Sequence, residues 1–386
     1  MISLRDAASV VGVGETAYTR GSPHSHLHMQ LEASLAACAD AGLSPQQIDG
    51  VIPVGITAGT AEDYVANLGI LDLKFSAVVP HGGASGVGAL QLAAAVVSAG
   101  LCEHVLVAFG RNTTSGLKAF DRIHTMPQFR LVTEFELPQG AAAPVQLYAA
   151  MARRHMELYG TTSLQLAEVA VSTREHAQRH PNAIMHKPMT VEDHQASRMI
   201  ADPFRLLDCS LESDGGAAFI VSRTESAVDL RQPVVRILGT GMGHPHSPGV
   251  ITQRDDLTRF GLARAAGPAF GRAGVSPTDI DVAEIYDCFT YVVVCQLEDL
   301  GFCAKGEGGP FVGDGRLRLG GALPTNTHGG LLSQAHVYGV NHVVELVLQL
   351  RGQAEARQVV GAEVGLVTGY GDMGDGGVAI LAAGAP

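Results

Sequence analysis

The stretch Ala41-Gly-Leu-Ser-Pro-Gln-Gln-Ile-Asp49 returns later in the chain as Ala273-Gly-Val-Ser-Pro-Thr-Asp-Ile-Asp281. Each copy follows an alanine-rich stretch typical of a helix and precedes an apolar stretch typical of a strand. Gly42 and Gly274 stand where helices commonly end in a left-handed glycine, and the Ser-Pro pairs begin the next turn. A helix–turn–strand unit that occurs twice predicts a chain built by duplication.

A second matched pair follows in the same order. The glycines at 82–83 precede an apolar helix-like stretch and then strand-like residues 105–109, and those at 329–330 precede helix-like residues 340–350 and strand-like residues 364–368. Strands that alternate with helices predict two α/β units, each with a mixed sheet covered on both faces. The alternative is a shared linker that arose twice by chance.

A long segment from residue 112 to about 203 interrupts the first unit. It is richer in His, Met, Arg and Glu, and residues 147–159 and 164–179 have the spacing of amphipathic helices. Insertions of this length usually have a function. We therefore expect an N-terminal half, 1–231, that carries an inserted loop domain, and a C-terminal half, 232–386.

Composition favours a folded, acidic protein. Hydrophobic residues make up 46% of the 386 residues, and the net charge of −12 argues against nucleic acid as a partner, although a local basic pocket for a phosphorylated ligand stays possible. No apolar run reaches the ~18 residues that span a bilayer, the N-terminus lacks the form of a signal peptide, and the six cysteines include no CxxC pair. We expect a soluble, cytoplasmic protein without membrane contact.

Two motifs near the N-terminus are weak signals. Residues 12–17 (GVGETA) nominally fit a dinucleotide fingerprint, but residues 18–23 (YTRGSP) follow where a helix should begin, so strand and loop is the better interpretation. His24, His26 and His28 alternate along the chain without a neighbouring cysteine or carboxylate to complete a ligand set. No metal site is expected.

The loop Gly82-Gly-Ala-Ser-Gly86 precedes a helix of small residues. A helix N-terminus offers free N–H groups and a positive dipole end, so the backbone of Gly83 and Ala84 is a candidate oxyanion site. Ser85 does not fit a hydrolase nucleophile, because Val87 stands where GxSxG needs its last glycine. Close helix packing without chemistry is an equally good interpretation.

Polar residues follow the repeated strand of the second half. Ligands of α/β units usually lie at the carboxyl ends of strands, and Tyr286 and Asp287 occupy that place, where they could carry out acid–base chemistry. The alternative is that Asp287 caps the following helix and Tyr286 packs in the core.

Two glycine-framed loops complete the candidate set. Residues 324–339 hold His336, a residue type that titrates near neutral pH and suits acid–base work, although a lone histidine is more often structural. Residues 369–377 form a second loop, in which the backbone of Gly371 could join an oxyanion site. The substrate-binding candidates of the two loops are Asn326, Ser333, Tyr338 and Tyr370.

Six segments together resemble the thiolase superfamily, in particular its sterol-carrier/lipid-transfer-protein thiolase branch. They are AGLSPQQIDGV, HGGASGVGALQLAAAVVSAG, DCSLESDGGAA, EIYDCFTY, LEDLGFCAKGEGGPFV and NTHGGLLSQAHVYG. The resemblance implies an α/β thiolase fold, with duplicated units in five αβαβα layers and a loop domain inserted in the first half. It also implies a homodimer core and coenzyme A thioesters as substrates.

The chain departs from the thiolase pattern at its reactive positions. Thiolases carry a nucleophilic cysteine where this chain has Gly83, and their second cysteine, near Gly369 and Tyr370, is also missing. The histidine of the Gly-His-x-x-Gly motif corresponds to His336. Without a thiolate, the usual acyl-enzyme does not form. This pattern resembles the thiolase-like aldolases that lack the nucleophilic cysteine. Those enzymes cleave β-hydroxyacyl-CoA esters of steroid side chains by a retro-aldol reaction.

Those aldolases use a tyrosine at the position of Tyr286, and a second tyrosine corresponds to His336. The resemblance implies that one of this pair removes the β-hydroxyl proton and the other protonates the enolate carbon, with Asp287 orienting His336 or capping its helix. The enolate would be stabilised by the backbone N–H groups of Gly83, Ala84 and Gly371.

The resemblance also implies a partner and limits the cofactors. Such aldolases work with a small OB-fold/zinc-ribbon protein, and no covalently bound cofactor is expected, because coenzyme A enters as part of the substrate. Two alternatives stay open. One is a thiolase or acetyl-CoA acyltransferase with an atypical active site, and the other is a non-catalytic thiolase-like subunit that binds acyl-CoA.

Overall fold

The computed structural model describes residues 5–55, 59–116, 129–246, 250–371 and 374–384. The α-helices in this part of the chain are α1 (His26–Ala41), α2 (Ala61–Leu68), α3 (Ser85–Ser98), α4 (Pro144–Tyr159), α5 (Ser163–Ala177), α6 (Val191–Ala196), α7 (Thr224–Ala227), α8 (Leu262–Ala273), α9 (Thr290–Asp299), α10 (Gly308–Phe311) and α11 (Val340–Leu350). The strands are β1 (Ala8–Glu15), β2 (Gly50–Pro53), β3 (Phe75–Ser76), β4 (His104–Asn112), β5 (Met199–Ala201), β6 (Phe204–Arg205), β7 (Asp214–Arg223), β8 (Val235–Gly243), β9 (Val282–Glu284), β10 (Val364–Gly371) and β11 (Asp375–Ala383).

The repeated sequence folds in the same way in both halves, as predicted. α1 ends at Gly42 and α8 at Gly274, both in the left-handed conformation, with φ of 75° and 67°. Glycine suits these positions because a β-carbon is strained at positive φ. Each helix is followed by a short 3-10 turn that starts at the Ser-Pro pair, and then by β2 or β9.

Nine strands form one continuous sheet in the order β3-β2-β4-β7-β1-β8-β11-β10-β9. The sequence predicts a mixed sheet in each half, and each half is mixed: β2 runs parallel to β3 and β4, and β9 parallel to β10, whereas the other pairs are antiparallel. The halves join where β1 pairs with β8, Ser9 with Arg236 and Val10 with Val235. This short antiparallel junction makes the two sheets one array.

Two helices lie between the half-sheets. α3 contacts β1, β4 and β7 of the first half and β8, β10 and β11 of the second, and α11 also contacts strands of both halves. α1 covers the other face of the first half and α8 that of the second. The close approach of α1 depends on glycine, since a β-carbon on Gly14 would overlap the backbone of Ala33 and Ala37. These contacts give the five predicted αβαβα layers.

The predicted insertion contains α4, α5, α6 and the β5–β6 hairpin. α4 and α5 match the two predicted amphipathic helices within a few residues at each end. α5 packs on α9 and on the turn Gly330–Gln334 of the second half, so the insertion reaches the loops that carry the candidate residues. Residues 117–128 of the insertion lie outside the described residues. Among the described helices, none is long and apolar enough to cross a membrane.

Candidate active site

Tyr286 and His336, fifty residues apart in the chain, meet in the structure. The phenol oxygen of Tyr286 lies 3.1 Å from Nε2 of His336. Tyr286 lies just beyond the end of β9 and is 3% exposed, whereas His336 follows the turn Gly330–Gln334 and is half-buried. The two proton-transfer groups that the sequence indicates therefore form one pair.

The sequence suggested that the glycines at 329–330 lead directly into a helix of the second half. In the structure they do not. Gly330 starts a π-helical turn that ends at Gln334, and α11 begins only at Val340, after Gly339 with its φ of 74°. The residues between the turn and α11 form a separate loop. This loop presents His336 to Tyr286.

Two serines outside the predicted set hold His336. Ser210 Oγ lies 3.0 Å from Nδ1 of the ring, and Ser213 Oγ accepts the backbone N–H of His336 at 2.8 Å. Both serines lie just before β7, in the segment DCSLESDGGAA that carries part of the family resemblance. That segment was the available signal, but it did not single out either residue.

The protonation of the pair follows from burial and hydrogen bonding. Burial raises the pKa of Tyr286 well above its usual range, and Cys288 raises it further. Tyr286 is thus a protonated phenol at neutral pH, and we assign its O–H as the donor to Nε2 of His336. Nδ1 then carries the ring proton, which Ser210 Oγ accepts. With Ser210 Oγ as the acceptor, Nε2 is the basic nitrogen of the ring.

The ring of Tyr286 lies in a slot between two glycines. A β-carbon on Gly83 would overlap Cζ and the hydroxyl oxygen of Tyr286, and one on Gly339 would lie 3.0 Å from its Cδ2. The phenol therefore fills the space that a side chain at position 83 would need. Because thiolases carry their cysteine at this position, the present arrangement of Tyr286 excludes that cysteine.

The predicted oxyanion backbone is assembled, but one of its donors is already used. Gly371 packs so closely on the loop before α3 that a β-carbon there would lie 2.9 Å from the amide nitrogens of both Gly83 and Ala84. The Ala84 N–H, however, donates to the carbonyl of His81 at 3.0 Å. The prediction of Ala84 as a donor was wrong, and Gly83 and Gly371 stay candidates.

Asp287 does not orient His336, both of whose ring nitrogens have other partners. Its carboxylate accepts the backbone N–H of Leu331 at 2.8 Å and of Leu332 at 3.3 Å, and Nε2 of His342 lies 3.1 Å from its Oδ1. It does not cap α9 either, since the N-cap of that helix makes no side-chain hydrogen bond. Asp287 instead holds the start of the π-helical turn.

Asn326 is structural and does not offer its amide to a substrate, contrary to the prediction. Its side-chain oxygen accepts the Ile285 N–H at 2.6 Å, and its side-chain nitrogen donates to the Ile285 carbonyl at 2.8 Å. Because Ile285 precedes Tyr286, this pair of hydrogen bonds fixes the backbone from which the phenol projects. The role of Asn326 is to position the site.

The two tyrosines of the candidate loops have different surroundings. Tyr370 is 1% exposed and packs against Tyr148 and Phe260, with ring centroids 5.6 and 4.6 Å away, so core packing replaces the predicted contact with substrate. Tyr338 is half-buried, and its ring centroid lies 6.1 Å from that of His336. Tyr338 therefore lies beside the reactive pair and stays a candidate for contact with substrate.

A cavity of about 470 Å³ lies between the insertion and the turn Gly330–Gln334. Its wall includes Ser210, the partner of His336, and also Ser333. Ser333 Oγ accepts a hydrogen bond from Nε of the buried Arg174 at 2.9 Å. The prediction that Ser333 faces substrate is compatible with this place in the wall.

Of the residues that the structure describes, His155, Cys295 and Glu298 are close enough together to hold a metal ion. All three are buried, but Nζ of Lys305 lies 3.0 Å from Glu298 Oε2, and Nε2 of His155 lies 3.0 Å from Oε1. Lys305 already supplies the positive charge that the carboxylate needs. The cluster is better explained as a buried ion pair than as a metal centre.

A buried carboxyl group ends β9 behind Tyr286. Burial raises the pKa of Glu284 to about 8, and the negative charge of Glu345 adds to this effect. Burial by itself would raise the pKa of Glu345, but the charge of Arg357 outweighs this effect, and the pKa falls to about 2. In the unfolded chain Glu284 titrates near its ordinary value of 4.5, so between about pH 4.5 and 8 the folded protein keeps a proton that the unfolded chain has lost. Rising pH therefore lowers the free energy of unfolding across this window.

The variant Glu284→Gln is expected to flatten this part of the stability curve, by up to about 1.4 kcal/mol per pH unit, because it removes the titrating group. Urea unfolding at several pH values across the window measures the effect. Glu62→Gln, at an exposed position on α2, is the control and should leave the slope unchanged. An unchanged slope in Glu284→Gln itself would show that Glu284 is ionised in the folded protein.

Comparison with known proteins shows the family of the chain. Residues 243–383 match the family model described as "Thiolase C-terminal domain-like". The chain is 40% identical over 362 residues to the "Steroid side-chain-cleaving aldolase" of Thermomonospora curvata, with 91% of this chain and 92% of that protein covered. It is 37% identical to the "17-hydroxy-3-oxo-4-pregnene-20-carboxyl-CoA lyase" of Mycobacterium tuberculosis, with 95% and 96% covered.

A solved structure described as "Ltp2-ChsH2(DUF35) aldolase" matches with a TM-score of 0.92 and 38% identity, over 99% of each chain. The fold, the sequence relatives and the structural match thus agree along nearly the whole chain. The chain belongs to the thiolase superfamily, in the branch that it shares with the steroid side-chain-cleaving aldolases and sterol carrier protein 2.

Proposed function

We propose that this chain is a lyase that cleaves a β-hydroxyacyl-CoA by a retro-aldol reaction and releases a ketone or aldehyde together with a shorter acyl-CoA. The observation that carries the proposal is the contact between Tyr286 and His336 in the space beside Gly83. The site offers two proton-transfer groups and no side chain at the nucleophile position, which suits a reaction without a covalent intermediate. Two relatives are named as an aldolase and a lyase.

The contact between the two side chains divides the roles in the proposed reaction. His336 Nε2 takes the β-hydroxyl proton, the oxygen forms a carbonyl, and the carbon–carbon bond breaks to leave a thioester enolate. Tyr286, which is protonated, gives its proton to the enolate carbon. The imidazolium then returns a proton to the tyrosinate across the 3.1 Å contact, which restores the resting site.

The backbone N–H groups of Gly83 and Gly371 are the proposed donors to the enolate oxygen. The loop before α3 and the end of β10 pack against each other without side chains between them. Donors that are fixed before the reaction stabilise developing charge without reorganisation. Tyr338 and Ser333 are the proposed substrate contacts around this centre.

We propose a steroid side-chain-like acyl group, because two relatives that are 40% and 37% identical to this chain are named for such substrates. Coenzyme A enters as part of the substrate, and no other cofactor is proposed. The family resemblance supports a homodimer core and a small OB-fold/zinc-ribbon partner, and the match to the Ltp2-ChsH2(DUF35) aldolase supports a heterocomplex. The cytoplasm is the proposed compartment, where the free cysteines would stay reduced.

An acyltransferase would need an activated nucleophile near the pair. Cys288 follows Tyr286 by two residues, but burial raises the pKa of its thiol well above the usual range, and the charge of Asp287 raises it further. A thiol in that state offers little thiolate at neutral pH. The chemistry of the site thus favours the lyase over the acyltransferase.

Incubation of the chain and its co-purified partner with a β-hydroxyacyl-CoA, without added CoA, is expected to release a ketone or aldehyde and a shorter acyl-CoA. Mass spectrometry of both products is the measurement. A shorter acyl-CoA formed only from a 3-ketoacyl-CoA and free CoA would identify a thiolase instead. Turnover of neither substrate would contradict catalysis and favour the non-catalytic subunit.

Ser210→Ala is expected to lower kcat by up to about tenfold, because a hydrogen bond to Nδ1 of His336 worth about 1 kcal/mol is lost. The pH–rate profile should shift as well, since the serine acts through the basicity of Nε2. Ser9→Ala is a matched control, because Ser9 Oγ is buried and lies 2.8 Å from Thr224 Oγ1, outside the site. A pH profile identical to that of the unmodified chain would exclude a positioning role for Ser210.

A further inference from the structure

We propose that Arg111 supplies a fixed positive charge that stabilises the tyrosinate of Tyr286 between the two proton transfers. This inference rests on the proposed lyase function, in which Tyr286 gives its O–H proton to the enolate carbon and stays negatively charged until the imidazolium of His336 returns a proton. A buried phenolate without a nearby cation is costly to form, because its charge has left water. Arg111 is thus a positioning residue that acts through the reactive pair.

Arg111 reaches the loop of His336 from near the end of β4. Its Nη1 donates to the backbone carbonyl of His336 at 3.4 Å, and its Nε donates to Thr113 Oγ1. The residue is 6% exposed, so its charge acts in surroundings with little water, where charges interact more strongly than in bulk solvent. An arginine side chain stays protonated in proteins. The positive charge is therefore permanent and lies beside the base of the pair.

The same loop is held against Arg111 at a second point. Cζ of Arg111 lies over the ring of Tyr338, 5.6 Å from its centroid, and the ring of Phe109 stacks on Tyr338 with centroids 4.7 Å apart. Side chains at alternate positions of a strand share a face, so Phe109 and Arg111 approach the loop together from β4. The N–H of His336 is meanwhile held by Ser213. The fold therefore sets the distance between the guanidinium and the reactive pair.

Charged and titratable side chains from β4, the end of β9, the loop before α11 and α11 itself face the reactive pair. They are Arg111, Asp287, Cys288, Tyr338 and His342. Of these five, only Arg111 carries a permanent positive charge. Burial has the largest effect on the pKa of Tyr286 and raises it, whereas the charge of Arg111 lowers it. Replacing Arg111 therefore removes a favourable charge and leaves every acid and base around the pair in place.

Three replacements of Arg111 separate its charge from its hydrogen bond. Arg111→Met removes both, Arg111→Gln keeps an N–H donor for the carbonyl of His336, and Arg111→Lys keeps the charge. We expect kcat for retro-aldol cleavage to fall at least about tenfold in the Met and Gln variants and less in the Lys variant, because loss of a nearby opposite charge destabilises an anion by about this factor or more. KM should change little. Equal losses in the Gln and Lys variants, or turnover that survives in Arg111→Gln, would overturn the proposal.

Arg351→Gln is the matched control for the loss of a buried guanidinium. Arg351 is also buried and donates to Asp40 Oδ2 at 2.8 Å, at the far end of α11 from the loop of His336. This variant should lose stability in urea unfolding and keep its kcat. A fall in kcat as large as that of Arg111→Gln would show that lost stability, and not lost charge, slows the reaction, and the proposal would fail.

An NMR titration tests the charge without reference to activity. The ring nitrogen signals of His336, assigned by their absence in His336→Asn, report its protonation as the pH changes. Arg111→Met removes a like charge beside the ring, so the midpoint of this titration should move to higher pH, and Arg111→Lys should move it less. An unchanged midpoint in Arg111→Met would overturn the proposal. If the unmodified chain cleaves no β-hydroxyacyl-CoA, the proposed function fails, and the titration still decides whether the charge of Arg111 reaches the pair.

Discussion

Replacing Tyr286 with phenylalanine is expected to lower kcat for retro-aldol cleavage by about 100- to 10,000-fold, the usual contribution of one positioned acid–base group. KM should change little, because the phenylalanine ring still fills the slot between Gly83 and Gly339. The loss has two causes in the proposed mechanism. The enolate carbon loses its proton donor, and His336 loses the group to which it returns the substrate proton. Steady-state kinetics with a β-hydroxyacyl-CoA substrate measures both parameters.

A matched variant controls for the loss of a buried hydroxyl. The hydroxyl of Tyr64 is buried and donates to Gln30 Oε1 at 2.8 Å, in the layer of α1 and α2, away from the reactive pair. Tyr64→Phe should therefore lose a similar amount of stability and keep its turnover. Activity of Tyr286→Phe close to that of the unmodified chain would remove Tyr286 from the mechanism.

The fold could be predicted because its strongest signals are local. The glycine that ends a helix and the Ser-Pro pair that follows are read within ten residues, and they occur once in each half, at Gly42 and Gly274. The junction of the two half-sheets could not be predicted in this way. It depends on the pairing of β1 with β8, which are more than two hundred residues apart, over a few residues without a pattern of their own.

The reactive pair could be predicted from chemistry at the end of a strand and in a glycine-framed loop. The roles of the residues around it could not, because a buried polar side chain must satisfy its hydrogen bonds before it can serve a substrate. Asp287 and Asn326 look reactive in the sequence, yet both side chains are hydrogen-bonded to backbone N–H and C=O groups nearby. Ser210 looks ordinary, and its partner His336 lies 126 residues further along the chain.

The missing cysteine at position 83 and the tyrosine at position 286 are physically linked. The phenol of Tyr286 occupies space that is free because Gly83 has no β-carbon. A tyrosine in this place therefore requires that position 83 carry no side chain, and so no cysteine. The glycine is as much a part of the proposed chemistry as the phenol.

Gly83→Ala is accordingly expected to disable the enzyme, although it adds a single methyl group. The new β-carbon would overlap the phenol of Tyr286 and the backbone carbonyl of Tyr370, and neither can move away as the end of a flexible side chain could. Overpacking of this kind costs about 1–3 kcal/mol, and a shift of the phenol by about 1 Å costs about 100-fold in kcat. Urea unfolding and steady-state kinetics measure the two effects. Gly83→Cys meets the same overlap and should not gain thiolase activity.

The control for this prediction lies one turn further along the chain. A β-carbon on Gly86 would lie 3.4 Å from its nearest neighbour, Cγ2 of Val340, which is an ordinary contact. Gly86→Ala should keep its turnover and gain about 0.5–1 kcal/mol of stability, because it replaces a glycine inside α3. Equal behaviour of Gly83→Ala and Gly86→Ala would show that the phenol does not need the space at position 83, and the proposed link between the missing cysteine and Tyr286 would fail.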